Sequence, residues 1–199
     1  MPILRVMKNE KHLCTVGSDD VWMFSAGVSG DIWGSEASEL DINGGSKRRQ
    51  GGESDFLIWQ MPNDLVKGDR VAFFFEEGSA SNPMGTIFDE TAPAPVEPKI
   101  KMSFPPTDEE LKKLESRPAA NADLKWSFSA SGAPAIEISP DLTRQHVSLH
   151  FLWNEERPQR LRVSLSKKSL REIFSRSGGE ELFLEYVPVG ASFEIRIEL

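Results

Sequence analysis

The apolar residues of this chain fall into short runs of strand length, and this patterning constrains the fold more than any other feature. Val147, Leu149, Phe151 and Trp153 alternate with polar residues, which places them on one face of a strand. Because most runs are bounded by turn-forming residues, the sequence predicts a mainly β protein. Comparable runs occupy residues 3–6, 13–16, 21–24, 40–42, 56–59, 71–75, 126–129, 161–165, 182–187 and 193–197.

Two short helices are predicted in the second half of the chain. Thr107 and Glu110 have the spacing of a capping box, so a helix should begin there and reach residue 117. Leu170, Ile173 and Phe174 have helical spacing and predict a second helix over 167–176 that packs on a sheet. The predicted fold class is therefore β-rich α+β.

A proline-rich stretch separates the two halves of the chain. Residues 91–106 hold five of the 13 prolines, a density that excludes a helix or an inner strand. The sequence thus predicts a β lobe over 1–90, a linker over 91–106, and a β lobe with both helices over 107–199.

Composition argues against several classes of function. The chain has 23 Lys and Arg against 31 Asp and Glu, a net charge of −8, so nucleic acid is an unexpected partner. No apolar run approaches the ~20 residues of a membrane helix, and the N-terminus lacks the pattern of a signal peptide. We expect a cytoplasmic protein with no membrane association.

The metal-ligating and nucleophilic residues suggest no reactive site. His146 and His150 lie on a predicted strand, where four residues span about 13 Å, too far for one shared metal ion. Cys14, the only cysteine, cannot form an intramolecular disulfide; it follows His12 without any recognisable acyl-transfer motif. We expect no metal, no cofactor and no standard catalytic motif.

Trp33 is the predicted anchor for a protein partner. It lies in a loop with glycines on both sides, whereas the other tryptophans occupy apolar runs. Asp19, Asp20, Asp31 and Glu36 would steer a basic partner such as a nuclease toxin toward it. The alternative is that Trp33 caps the core.

A cluster of cations in the second half offers a different docking surface. In an acidic protein such a local reversal of charge suits an acidic partner, although a solvated strand and helix face would also explain it. The predicted patch consists of Arg160, Arg162, Lys167, Lys168 and Arg171.

Residues 3–78 resemble a group of short bacterial proteins of uncharacterised activity. The shared positions include the runs 4–6, 13–15, 40–45 and 65–71, together with Trp59. The resemblance implies no activity, cofactor or site residue.

Three functional hypotheses follow. The first is a non-enzymatic, bacterial protein-binding protein, in its sharpest form an immunity protein that neutralises a toxin. The second is a small-ligand or carbohydrate-binding β module, which exposed aromatic residues in line on one sheet face would favour. The third is a hydrolase whose site has no recognisable motif.

Overall fold

Two antiparallel sheets account for most of the residues that the computed structural model describes, which are 1–34, 38–47, 52–88 and 105–198. The strands and helices in these ranges are β1 (Pro2–Lys8), β2 (Lys11–Gly17), β3 (Val21–Asp31), β4 (Ser38–Ser46), β5 (Phe56–Leu65), β6 (Arg70–Glu77), β7 (Thr86–Ile87), α1 (Asp108–Glu115), β8 (Lys125–Ala130), β9 (Ile136–Ile138), β10 (His146–Asn154), β11 (Arg160–Lys168), α2 (Leu170–Phe174), β12 (Glu180–Pro188) and β13 (Ala191–Glu198). The predicted class, mainly β with two short helices, is confirmed.

Each sheet contains strands from both halves of the chain. The six-stranded sheet has the order β2-β1-β6-β13-β8-β9, and the seven-stranded sheet has the order β12-β11-β10-β3-β4-β5-β7. The predicted boundary at residues 91–106 therefore does not divide the sheets, because both sheets combine strands from 1–90 with strands from 107–199. Pairing of β6 with β13 and of β3 with β10 joins the halves, and alternation within one strand cannot reveal such distant partners.

The core lies between the two sheets and is formed by the alternating apolar residues. Val147, Leu149, Phe151 and Trp153 are all buried, as their spacing predicts. Phe151 contacts Phe73 of the opposite sheet, with 4.3 Å between ring centroids. The same alternation turns the intervening residues of β10 and β11 outward.

Both helices begin at a capping box. Thr107 caps α1 and Ser169 caps α2, each paired with a glutamate three residues later. The second helix is shorter than predicted because β11 continues through Lys168, and none of its residues is fully buried.

Most of the predicted linker, residues 91–104, lies outside the described ranges. Within those ranges, no helix is long and apolar enough to span a membrane.

Candidate anion-binding site

Three neighbouring strands of the seven-stranded sheet position a group of arginines on its outer face. Arg162 of β11 lies opposite Leu152 of β10 on one side and opposite Tyr186 of β12 on the other. Leu161 and Val163 flank Arg162 and are buried, so the period of two directs Arg160 and Arg162 away from the core.

The turn between β10 and β11 adds a third arginine. The buried Trp153 donates a hydrogen bond from Nε1 to the carbonyl oxygen of Pro158 at 3.0 Å, which ties the turn to the core. The backbone amide of Arg157 donates to Asn154 Oδ1 at 3.2 Å. Arg157 is thereby held next to the start of β11.

These residues surround an open cleft of about 180 Å³. The Arg157 guanidinium lies 5.8 Å from the centre of the Tyr186 ring, which is 48% exposed. We call this group the arginine cleft; its lining residues are Leu152, Asn154, Glu156, Arg157, Arg160, Arg162 and Tyr186.

Arg157, Arg160 and Arg162 form no ion pair with any carboxylate in the described ranges. Most other Lys and Arg side chains in those ranges do form one. Guanidinium groups bind carboxylates and phosphates in a planar, two-pronged geometry. Three such groups against a single lining glutamate favour an anionic ligand. The paired cations include Arg5 with Glu76, Lys8 with Asp69, Arg70 and Arg196 with Glu194, Lys125 with Glu137, and Arg144 with Glu180.

The predicted basic patch divides into two parts. Arg160 and Arg162 lie in the arginine cleft. Lys167, in contrast, pairs with Asp141 at 2.8 Å, and Arg171 pairs with Asp108 at 2.7 Å. Lys168, at the far end of β11, lies opposite His146. The structure therefore does not bring these five cations together.

The loop of Trp33 is bound to the second half of the chain. The indole is half-buried, donates from Nε1 to the Arg117 carbonyl oxygen at 3.2 Å, and lies 5.4 Å from the Arg117 guanidinium. Asp31 Oδ1 accepts hydrogen bonds from the amides of Trp33 and Gly34 at 2.6 and 2.7 Å. Asp31 thus stabilises the turn. Glu36 lies outside the described residues.

The remaining predicted acidic residues are far from Trp33. Asp19 and Asp20 precede β3 whereas Asp31 ends it, a separation of about 35 Å at the usual strand rise. Asp20 Oδ2 also accepts a hydrogen bond from the Ser81 amide at 2.6 Å. The expectation that these carboxylates share the Trp33 loop is wrong, because an eleven-residue strand separates them.

A hydroxyl and an imidazole meet at the centre of the same outer face. Ser25 Oγ lies 2.7 Å from His150 Nε2. Burial lowers the pKa of His150, and the nearby charges of Arg162 and Lys168 lower it further. A neutral imidazole can accept a proton, but no described residue forms a hydrogen bond with its other ring nitrogen, and such a bond is what orients a catalytic base.

Cys14 and His12 do not form a reactive pair. Cys14 is buried in the core, and burial raises the pKa of its thiol to about 12. His12 is exposed and contacts Thr15 Oγ1 at 2.9 Å. Within the described ranges, no three His, Cys, Asp or Glu side chains lie close enough to hold a metal ion.

Sequence reasoning missed Tyr186, because its place beside Arg162 depends on the register between β11 and β12.

No protein-family model, curated protein or solved structure matches this chain.

Proposed function

We propose that this protein is a non-enzymatic binding protein that recognises an acidic segment of another protein through the arginine cleft. The observation that carries the proposal is the set of three neighbouring guanidinium groups, Arg157, Arg160 and Arg162, that lack a carboxylate partner in the described ranges. In a chain with a net charge of −8, a basic group of this kind is a distinctive surface for an acidic partner.

The side chains of the cleft suit a protein contact. Arginine and tyrosine are the residue types, with tryptophan, that most often dominate binding energy at protein interfaces. Tyr186 is half-exposed beside Arg157, so a partner would bury both together. The cleft volume of about 180 Å³ suits one or two carboxylate groups.

The cleft favours an acidic partner over a basic toxin. An immunity protein that covers a basic nuclease needs several carboxylates on one surface. Here Asp20 and Asp31 accept backbone hydrogen bonds, and a whole strand separates them. We therefore still propose a protein-binding protein, but we expect its partner to be acidic rather than basic.

Charge reversal in the cleft tests this proposal. Binding of a fluorescent, glutamate-rich peptide should be lost in the Arg160→Glu, Arg162→Glu variant and should weaken steeply with salt. The matched control is Lys112→Glu, Lys113→Glu on α1, which makes the same change of charge at exposed residues. Equal loss in both variants would contradict a specific site, as would retained binding in the cleft variant.

A further inference from the structure

An aromatic group lies on the same outer face as the arginine cleft, at the opposite edge of the sheet. Phe56 of β5 and Phe88 are 50% and 45% exposed. Their rings meet edge to face with centroids 6.0 Å apart, and the Phe88 amide donates to the Phe56 carbonyl oxygen at 2.8 Å. Half-exposed phenylalanines in contact with each other are a common feature of binding surfaces.

Trp22 extends this group toward the centre of the sheet. Gly45 of β4 lies opposite both Met23 and Phe56, and the indole of Trp22 occupies the space that a side chain at Gly45 would fill. A Cβ at Gly45 would lie 2.9 Å from Trp22 Cε2. We call Trp22, Phe56 and Phe88 the aromatic corner.

A row of uncharged residues connects the arginine cleft to the aromatic corner. The registers of five neighbouring strands, β11, β10, β3, β4 and β5, align one residue of each strand in a row across the sheet. These residues are Arg162, Leu152, Ser25, Asn43 and Ile58. The four intervals from β11 to β5 span about 19 Å at the usual strand spacing. The row also adjoins the Asp41 carboxylate, which accepts a hydrogen bond from Asn43 Nδ2 at 2.9 Å.

The edge-to-face arrangement of Phe56 and Phe88, with 89° between their rings, argues for an apolar side chain as the group bound there. A nucleotide base or a sugar ring would need an exposed flat ring face to stack on. Perpendicular rings instead form a notch that an aliphatic or aromatic side chain can enter.

We infer that the acidic segment bound by the arginine cleft also carries a large apolar side chain that binds the aromatic corner, about 19 Å away. This inference rests on the proposed function and specifies its partner. In an extended segment, the carboxylate and the apolar side chain would be roughly six residues apart.

Selection from a library of random peptides long enough to cross the sheet tests the inference on the full-length protein. We expect enriched peptides to combine Asp or Glu with a large apolar residue at the predicted separation. Enrichment of acidic residues alone would overturn the inference but leave the proposed function standing. A selection without acidic enrichment would overturn both.

Variants of the aromatic corner then locate the second contact. Phe56→Ala with Phe88→Ala should weaken a selected peptide on the order of tenfold or more, down to the affinity of the same peptide without its apolar residue. The matched control is Ile87→Ala: Ile87 is 57% exposed at the same edge but pairs with the inward-facing Leu57. Unchanged affinity in the double variant would overturn the inference.

A single-stranded oligothymidylate serves as the competing probe. We expect it to bind more weakly than the selected peptides. Tighter binding of the oligonucleotide, abolished by Arg160→Glu with Arg162→Glu, would overturn both proposals and identify a nucleic-acid surface instead.

Discussion

Two histidines on the outer face of the seven-stranded sheet should make the free energy of unfolding depend on pH. His146 and His150 alternate with buried residues of β10, and burial lowers the pKa of both. Lys168 lowers both pKa values further, whereas Asp31 acts in the opposite direction on His146. These two histidines should therefore remain neutral in the folded protein at a pH where the unfolded chain binds protons.

This difference predicts that the free energy of unfolding decreases as the pH falls from 7 to 5. Unfolded histidines take up protons near pH 6.5, and the unfolded state is then stabilised relative to the folded state. Urea unfolding of the wild type and of the His146→Gln, His150→Gln variant should show a flatter pH dependence in the variant. Asp41, whose pKa is raised by burial, contributes equally to both proteins. Identical slopes would contradict the prediction.

The sequence predicted part of the candidate site at this scale. Arg160 and Arg162 were predicted to belong to one basic patch, and both line the arginine cleft. That Arg160 and Arg162 have no carboxylate partner within the described ranges could not be predicted, because Lys167 and Arg171 have the same sequence character but pair with Asp141 and Asp108, which are 26 and 63 residues away. The same holds for Trp33, whose hydrogen-bond acceptor is 84 residues away.

At the scale of elements, helix starts were predictable because their determinants are local. Thr107 and Glu110 lie within one turn, and the structure contains the capping box that their spacing predicts. The start of α2 was placed too early because the pairing of Lys167 with Val147 and Glu180 keeps that segment in β11. A neighbouring strand, rather than helical propensity, decides where α2 begins.

Removal of the α2 cap should lower stability by about 1 kcal/mol. Ser169→Ala removes the acceptor for the Glu172 amide, which then loses its partner at the helix start. Ser175→Ala, at the other end of the same helix, is the matched control and should cost less because its hydroxyl donates to carbonyl oxygens near the surface. Urea unfolding measures both; an equal cost would contradict the capping account.

At the scale of the whole molecule, the two halves complete each other's sheets. β6 lies between β1 and β13, and β3 lies between β10 and β4. The pairing of β3 with β10 brings together residues as distant as Ser25 and His150, 125 apart in sequence. Strand patterns predict that strands exist but contain no information on such partners, so the β class was predictable and the topology was not.

This interleaving predicts that neither half folds alone. A fragment of residues 1–90 would expose the core-facing side chains of β3 and β6 and leave an open edge on both strands. Circular dichroism should show each fragment, 1–90 and 105–199, without cooperative melting, and a mixture of the two should recover it. A cooperative transition in either fragment alone would contradict a shared core.

The central claim is that the arginine cleft is the binding surface, and chemical-shift mapping tests it most directly. Backbone and arginine side-chain resonances of the labelled protein are followed while a glutamate-rich peptide is added. We predict shifts confined to the residues around Leu152, Arg157, Arg160, Arg162 and Tyr186, which line the cleft. Shifts centred on Lys112 and Lys113, or the absence of any localised shift, would contradict the claim.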